Sequence, residues 1–167
     1  MNGAGWRVRA GREADLADVI AVERAAKEAP HWSEAVYLAI VRTQGIRPRE
    51  DGGVQRGLIV VEDNAGRVVG FAVGMVLGAQ TDCLASLENV AVEMRVRRKG
   101  VGRALCEAVA EWCREQGARS LELEVRAGST GAITLYERLG FVVAGRRRAY
   151  YELPTEDAVL MRMELDT

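Results

Sequence analysis

Residues 85–103 read ASLENVAVEMRVRRKGVGR, an alternating apolar run that ends in five basic residues, Arg95, Arg97, Arg98, Lys99 and Arg103, set around Gly100 and Gly102. The alternation predicts a strand over 85–92, and the segment beyond Gly102 predicts a helix that runs to Gln116 and stops at Gly117. A strand feeding a basic, glycine-bearing loop and then a helix suits a phosphate, because first-turn N–H groups lack partners and the helix dipole favours an anion there. Gly100 and Gly102 let the backbone close around it. A charge run is more often a solvated turn, but two glycines at the strand-to-helix junction favour the anion site. The loop is not a Walker loop, since no G-x-x-x-x-G-K-[ST] occurs and Lys99 precedes its glycine. It is not a dinucleotide fingerprint either, because Leu105 stands where the third glycine belongs.

Working outward, residues 6–9 alternate as a short strand, and residues 13–27 place Leu16, Val19, Ile20 and Val22 at helical spacing. A second helix follows Ser33, an N-cap candidate, and runs to about Gln44, where Gly45 and Pro48 stop it. Residues 47–55 form a polar, turn-rich loop. Residues 58–62 and 67–77 are β-branched runs joined through Asp63, Asn64, Ala65 and Gly66, which reads as a hairpin. Downstream, residues 120–125 read as a strand, 130–139 as a helix ended by Gly140, and 141–149 and 158–164 as two closing strands. The order mixes antiparallel hairpins with one strand-helix-strand crossover and predicts an α/β sandwich around a mixed sheet.

The 167 residues suit one domain, with 49% apolar and 28% charged residues but only 5% aromatic ones, so the core rests on Val, Leu, Ile and Ala. Glycine is abundant, at 18 residues, which predicts tight backbone approaches. Lys+Arg 23 against Asp+Glu 24 gives a net charge of -1, which excludes a generally basic nucleic-acid coat. Any anion site is therefore local. No run approaches a membrane helix, and Arg7, Arg9, Arg12, Glu13 and Asp15 occupy the place of a signal peptide's apolar stretch, so a cytoplasmic protein without membrane attachment is expected. Cys83, Cys106 and Cys113 form no C-x-x-C pair and His31 is the single histidine, so neither a disulfide framework nor a metal site is expected. Cys106 and Cys113, two helical turns apart, read as small buried side chains.

The run Arg97-Arg98-Lys99-Gly100-Val101-Gly102 resembles the Q/R-x-x-G-x-G/A pyrophosphate loop of the GNAT family of acetyl-CoA-dependent N-acetyltransferases. Leu135-Tyr136-Glu137-Arg138-Leu139-Gly140-Phe141 resembles that family's LYxxxGF segment, at the expected distance downstream. Leu123-Glu124-Val125-Arg126-Ala127, Pro30-His31-Trp32-Ser33-Glu34 and Arg147-Arg148-Ala149-Tyr150-Tyr151 are similar to RimI-like members, which acetylate the N-terminal alanine of a small-subunit ribosomal protein. The similarity covers most of the chain from about Leu58 onward. It implies a single domain over residues 1–167, with a mixed, mostly antiparallel sheet, a splayed central strand pair and about four flanking helices. It further implies acetyl-CoA as cosubstrate, no metal, and the N-terminal peptide of a ribosomal protein as acceptor.

The implied cofactor residues are Val90, Ala91 and Val92 on the splayed strand, Arg97, Arg98, Lys99, Gly100, Val101, Gly102 and Arg103 in the loop, and Ser129. The family usually carries asparagine at the last position. A serine hydroxyl is shorter and has one donor where the amide has two, so that contact is weaker or water-mediated.

Acetyl transfer from a thioester needs a neutral amine, a stabilised oxyanion and a reprotonated thiolate. An α-amino group of pKa about 7.7–8.0 is mostly protonated near pH 7, so a carboxylate within reach helps to remove its proton. Glu122 and Glu124 share one strand face. The resemblance makes Glu124 the base; its other reading is a solvent-facing strand glutamate, and Glu88 on the neighbouring strand is the alternative base. The same resemblance makes Tyr136 the general acid for the coenzyme A thiolate, a role compatible with packing against Leu135 and Phe141. Backbone N–H groups of residues 89–92 would hold the thioester carbonyl. Trp32, Tyr150 and Tyr151 would cover the substrate N-terminus, or serve as core and lid packing. His31 could be a ligand or a proton carrier, but a lone histidine before Trp32 and a helix N-cap is more often structural. Arg146, Arg147 and Arg148 would attract an acidic peptide or guard a sheet edge. Two other functions fit the same residues, an acetyltransferase of a small amine (polyamine, amino acid or aminoglycoside) and a non-catalytic acyl-CoA sensor.

Overall fold

The computed structural model describes residues 5–46, 52–78 and 83–166. In chain order the elements are β1 (Trp6–Ala10), α1 (Leu16–Ala25), α2 (Glu34–Thr43), β2 (Val54–Asp63), β3 (Val68–Leu77), β4 (Leu84–Val92), α3 (Val101–Glu115), β5 (Ser120–Arg126), α4 (Thr130–Leu139), β6 (Val142–Tyr151) and β7 (Glu156–Glu164). The strands form one seven-stranded sheet of order β1-β2-β3-β4-β5-β7-β6. Every neighbouring pair is antiparallel except β4 and β5, which run parallel and register at Ser86 and Glu122 alone. This is the mixed α/β sandwich that the element order predicts, with the mostly antiparallel sheet, four helices and splayed central pair that the family resemblance implies.

Period-two alternation sends side chains to two cores, one on each face of the sheet. Ile59, Val61, Leu121, Leu123 and Met161 pack against Leu105, Val109 and Cys113 of α3 and Tyr136 of α4. On the opposite face Leu58, Val60, Phe71 and Val73 meet Leu16, Val19 and Val22 of α1 with Tyr37 and Ile40 of α2. The expected tight approaches are concrete at Gly57 and Gly74, which lie opposite one another across β2 and β3. A Cβ at Gly57 would meet the Trp112 ring at 2.8 Å, and one at Gly74 would meet Val109 Cγ1 at 2.9 Å. Their bare backbone lets α3 settle onto the sheet.

Several boundaries differ from the sequence reading, each for a local reason. The helix expected over 13–27 opens as a 3-10 turn, Glu13–Asp15, and α1 ends at Ala25. Asp15 is turned toward β1, where the Arg9 guanidinium takes both its carboxylate oxygens at 2.7 Å. Ser33 occupies the N-cap position of α2 in extended conformation, without a side-chain capping bond. Strand β2 starts at Val54, four residues early, so the loop expected over 47–55 ends at Gly53; its residues 47–51 lie outside the described residues. Phe141 is buried in the α3/α4 core and β6 begins one residue later.

Candidate active site

The site begins where β4 leaves β5. Val73 pairs with Asn89 and Gly74 with Leu87, so Glu88 is an extra residue on β4. Such a bulge bends its strand. Beyond Ser86, β4 has no β5 partner, while β5 continues along β7 through Leu123 with Met161, Glu124 with Leu160 and Val125 with Val159. Residues 89–92 thus present an edge without a ladder on the β5 side. Ala91 is buried against the α1/α2 core, and Val90 and Val92 pack on the other face, so these residues offer backbone groups to the cleft and no polar side chain.

The basic loop follows directly. A 3-10 turn, Met94–Val96, leads to Arg98 at φ +62 and Gly100 at φ +83. A Cβ at Gly100 would have nothing within 4 Å, and one at Gly102 would meet only Leu135 at 3.5 Å and Val92 at 3.9 Å. Val101 is buried and fixes the start of α3, whose first-turn N–H groups receive no side-chain cap. Arg97 donates to the Val92 carbonyl at 3.2 Å and Arg103 to Glu107 at 2.9 Å, while Arg98 and Lys99 stand exposed. Open backbone, uncapped helix donors and unburied cations fit a pyrophosphate. Val101 can contribute its backbone only.

Glu124 projects from the face of β5 opposite Leu123 and Val125. Arg147 Nε lies 3.1 Å from its Oε1. The Tyr150 hydroxyl hydrogen-bonds to the same carboxylate, which raises the phenol's pKa. The Arg147 guanidinium also stands over the Tyr150 ring at 5.4 Å, and Tyr150 packs edge-on to Tyr151 at 5.1 Å. A bulge in β6 aims these groups, since the register steps from Arg147 with Ala158 to Tyr151 with Glu156. Asp157 pins the bulge, accepting from Arg146 Nε at 2.7 Å and from the backbone N–H of Ala149 at 2.8 Å, where φ is +50. Glu88 is held differently, with Arg56 donating to both of its oxygens at 2.7 and 3.1 Å.

Tyr136 lies in the core on the other face of the sheet, packed with α3. It is buried, with its ring 5.7 Å from Phe141. Burial raises the pKa of its phenol, and neighbouring Cys106 and Tyr151 add to the shift. The Tyr151 phenol is also raised, by burial first and then by the charge of Glu124. The Arg126 guanidinium stacks on the Tyr151 ring at 4.3 Å.

The remaining candidates are more peripheral. Ser129 donates to Glu28 at 2.6 Å, tying the start of α4 to the segment after α1. Trp32 is half-buried against Tyr37, ring centroids 5.7 Å apart. His31 bonds the Ala26 carbonyl at 2.8 Å with φ +56, a turn-stabilising position. Cys106 and Cys113 are buried, and burial pushes both thiols up to about 12, far from a reactive thiolate. Among the described residues no group of His, Cys, Asp and Glu is arranged to hold a metal, and no helix is long and apolar enough to cross a membrane. Sequence reasoning missed Arg56 and Asp157 altogether; isolated charges in strands carry no spacing signal. It named Arg147 without its partner.

The family model described as the acetyltransferase (GNAT) family matches residues 20–141. The [ribosomal protein bS18]-alanine N-acetyltransferase of Escherichia coli strain K12 is 40% identical over 104 residues, which is 60% of this chain and 66% of that protein. The match thus spans just under two thirds of that relative. The crystal structure of the Escherichia coli ribosomal-protein-S18-alanine N-acetyltransferase superposes with a TM-score of 0.75 at 30% identity, covering 97% of this chain and 95% of that one. Ard1 from Thermoplasma volcanium gives a TM-score of 0.75 at 29% identity, covering 98% and 99%. With the parted β4–β5 pair, the glycine loop and the family match in agreement, the chain belongs to the acetyltransferase (GNAT) family.

Proposed function

We propose that this chain is a single-domain, cytoplasmic, acetyl-CoA-dependent N-α-acetyltransferase that acts on a protein N-terminus, with the N-terminal alanine of a small-subunit ribosomal protein as the acceptor to test first. The observation that carries the reading is the position of Glu124, a carboxylate beside the parted strands under Tyr150 and Arg147, with Tyr136 buried in the core on the other face of the sheet. The similarity to an enzyme named for the alanine of a ribosomal protein supports the choice of acceptor.

In this reading acetyl-CoA supplies the activated acetyl group. The exposed loop from Arg97 to Arg103 binds the pyrophosphate through backbone N–H groups and cations, and Ser129 contacts the cofactor once its bond to Glu28 is exchanged. Backbone N–H groups of residues 89–92 hold the carbonyl oxygen as it gains charge. Glu124 takes the ammonium proton, directly or through water, so that the amine's lone pair attacks the thioester carbon. As the carbon–sulfur bond breaks, Tyr136 gives its proton to the departing sulfur. A phenol whose pKa is raised by burial is fully protonated at neutral pH and so carries the proton to give. Trp32, Tyr150 and Tyr151 enclose the acceptor's first residue, with Glu88 and its Arg56 partner further along the same face. No covalent enzyme intermediate is formed.

Two outcomes test these assignments. Gly102→Val is expected to weaken acetyl-CoA binding at least tenfold, about 1.4 kcal/mol, as measured by calorimetry, because a Cβ there already touches Leu135 and Val92 and its branches crowd the first turn of α3 that presents the N–H groups. The triple Cys83, Cys106 and Cys113 to Ala variant, if folded, is expected to retain acetyl transfer, and trapping an acetyl-cysteine on the path to product would overturn direct transfer. The reading as a whole is tested by initial rates on peptides beginning with Ala, Ser, Met and Gly, with free lysine and spermidine as competitors. A peptide preference is expected; turnover confined to the small amines would favour a small-molecule enzyme.

A further inference from the structure

Helix α1 carries a carboxylate on its apolar face. Glu23 stands at the continuation of the Leu16 and Val19 stripe and is 1% exposed. Tyr37 of α2 is fully buried beside it and donates its hydroxyl to Glu23 Oε2. The Asn89 side chain of β4 completes the group, donating from Nδ2 to Glu23 Oε2 at 2.7 Å and to the Tyr37 hydroxyl oxygen at 2.9 Å. Glu23 Oε1 and Asn89 Oδ1 are buried without partners. An unpaired buried acceptor is destabilising, and an apolar trio of similar shape would avoid that penalty.

The cluster sits where the fold lacks another anchor. Asn89 is the first residue after the β4 bulge, and from there to Val92 the strand has β3 on one side and no ladder on the other. An unladdered edge is free to twist, yet its N–H groups must point at a fixed position to stabilise a developing oxyanion. Bonds from α1 and α2 to the Asn89 side chain do on this edge what ladder bonds do elsewhere in the sheet. The Tyr37 ring is itself locked, edge-on to Phe71 at 5.8 Å.

We infer that Glu23 and Tyr37 are positioning residues that act through the Asn89 side chain to fix the open edge of β4 at the parted β4–β5 pair. The helices that border the acceptor side thereby set the aim of the backbone donors. The inference rests on the acetyltransferase reading for its kinetic consequence and on geometry alone for its dynamic one.

The test is Tyr37→Phe, which removes one hydroxyl and keeps the ring, with Glu23→Gln as the second variant should the first not fold. Two measurements are made on each purified, full-length variant. Amide hydrogen exchange of residues 89–92, with no ligand added, is expected to quicken at least tenfold, while amides in the middle of β2 and α3 stay unchanged. The turnover number per acetyl-CoA-binding site is expected to fall about tenfold, with acetyl-CoA Kd and peptide KM within twofold of wild type. A merely structural role would instead lower the melting temperature and quicken exchange throughout the sheet, leaving turnover per binding-competent site intact. Unchanged exchange at 89–92, or unchanged turnover per site, overturns the inference. Should the wild-type protein acetylate no peptide, the acetyltransferase reading fails on its own, and the exchange comparison still decides the positioning role.

Discussion

Tyr136→Phe is expected to lower the turnover number about 10²-fold while the fold and acetyl-CoA affinity persist, the scale on which a positioned proton donor contributes. The aromatic ring that packs against Phe141 is retained, so the α3/α4 core loses no volume. What is lost is one buried hydroxyl, protonated at neutral pH as a phenol ordinarily is. The departing sulfur then leaves as a thiolate or takes a proton from water in a closed site. Pre-steady-state measurement, where chemistry limits the rate, separates this from slow product release. The loss should shrink with thioester analogues whose thiols are more acidic, because a better leaving group needs less help. Wild-type turnover in the variant would return Tyr136 to a packing role.

Glu124→Gln is expected to cost about 10²-fold at neutral pH, with partial recovery as pH rises. Glutamine keeps the length and still accepts from Arg147 and Tyr150, so the arrangement over β5 persists while the basicity disappears. An α-ammonium has a pKa of about 8, and above it the neutral amine arrives without help, so the variant should regain rate through that value. A lysine acceptor, with a pKa of about 10.4, would delay the recovery by more than two pH units. The variant's acid limb therefore reports the acceptor. Glu88→Gln is the control. Since Arg56 holds both Glu88 oxygens, that change should leave the pH profile in place. A wild-type profile in Glu124→Gln together with lost activity in Glu88→Gln would assign the base to Glu88.

The elements were legible because each is bounded by local chemistry. Thr130–Leu139 is a helix with Gly140 at φ +105 closing it, as the glycine after an amphipathic run implies. Leu84–Val92 alternates burial along most of its length, as its sequence does. The parting of β4 from β5 had a different source, the family resemblance, since no local pattern marks the bulge at Glu88. Boundaries failed where a long-range partner intervened, as at Asp15, which Arg9 of β1 draws out of the expected helix.

Within the site, the loop at Gly100 was readable because glycine and charge are clustered in sequence. The Glu124, Arg147 and Tyr150 group was readable only as separate residues, because a crossover and a β6 bulge bring them together. Glu23 carries a signal in the sequence, a carboxylate at the position where the α1 stripe calls for an apolar residue. Its meaning required Tyr37 and Asn89, which lie 14 and 66 positions away.

The central claim is that an acetyl group passes from acetyl-CoA to a backbone α-amine. A single peptide with an N-terminal alanine and an internal lysine, incubated with the wild-type protein and acetyl-CoA and then sequenced by fragmentation mass spectrometry, tests it most directly. The account predicts one added acetyl group on the alanine nitrogen, with one equivalent of free coenzyme A released per peptide modified. Acetylation of the lysine side chain with a free N-terminus, or no peptide product while spermidine is acetylated, would contradict it.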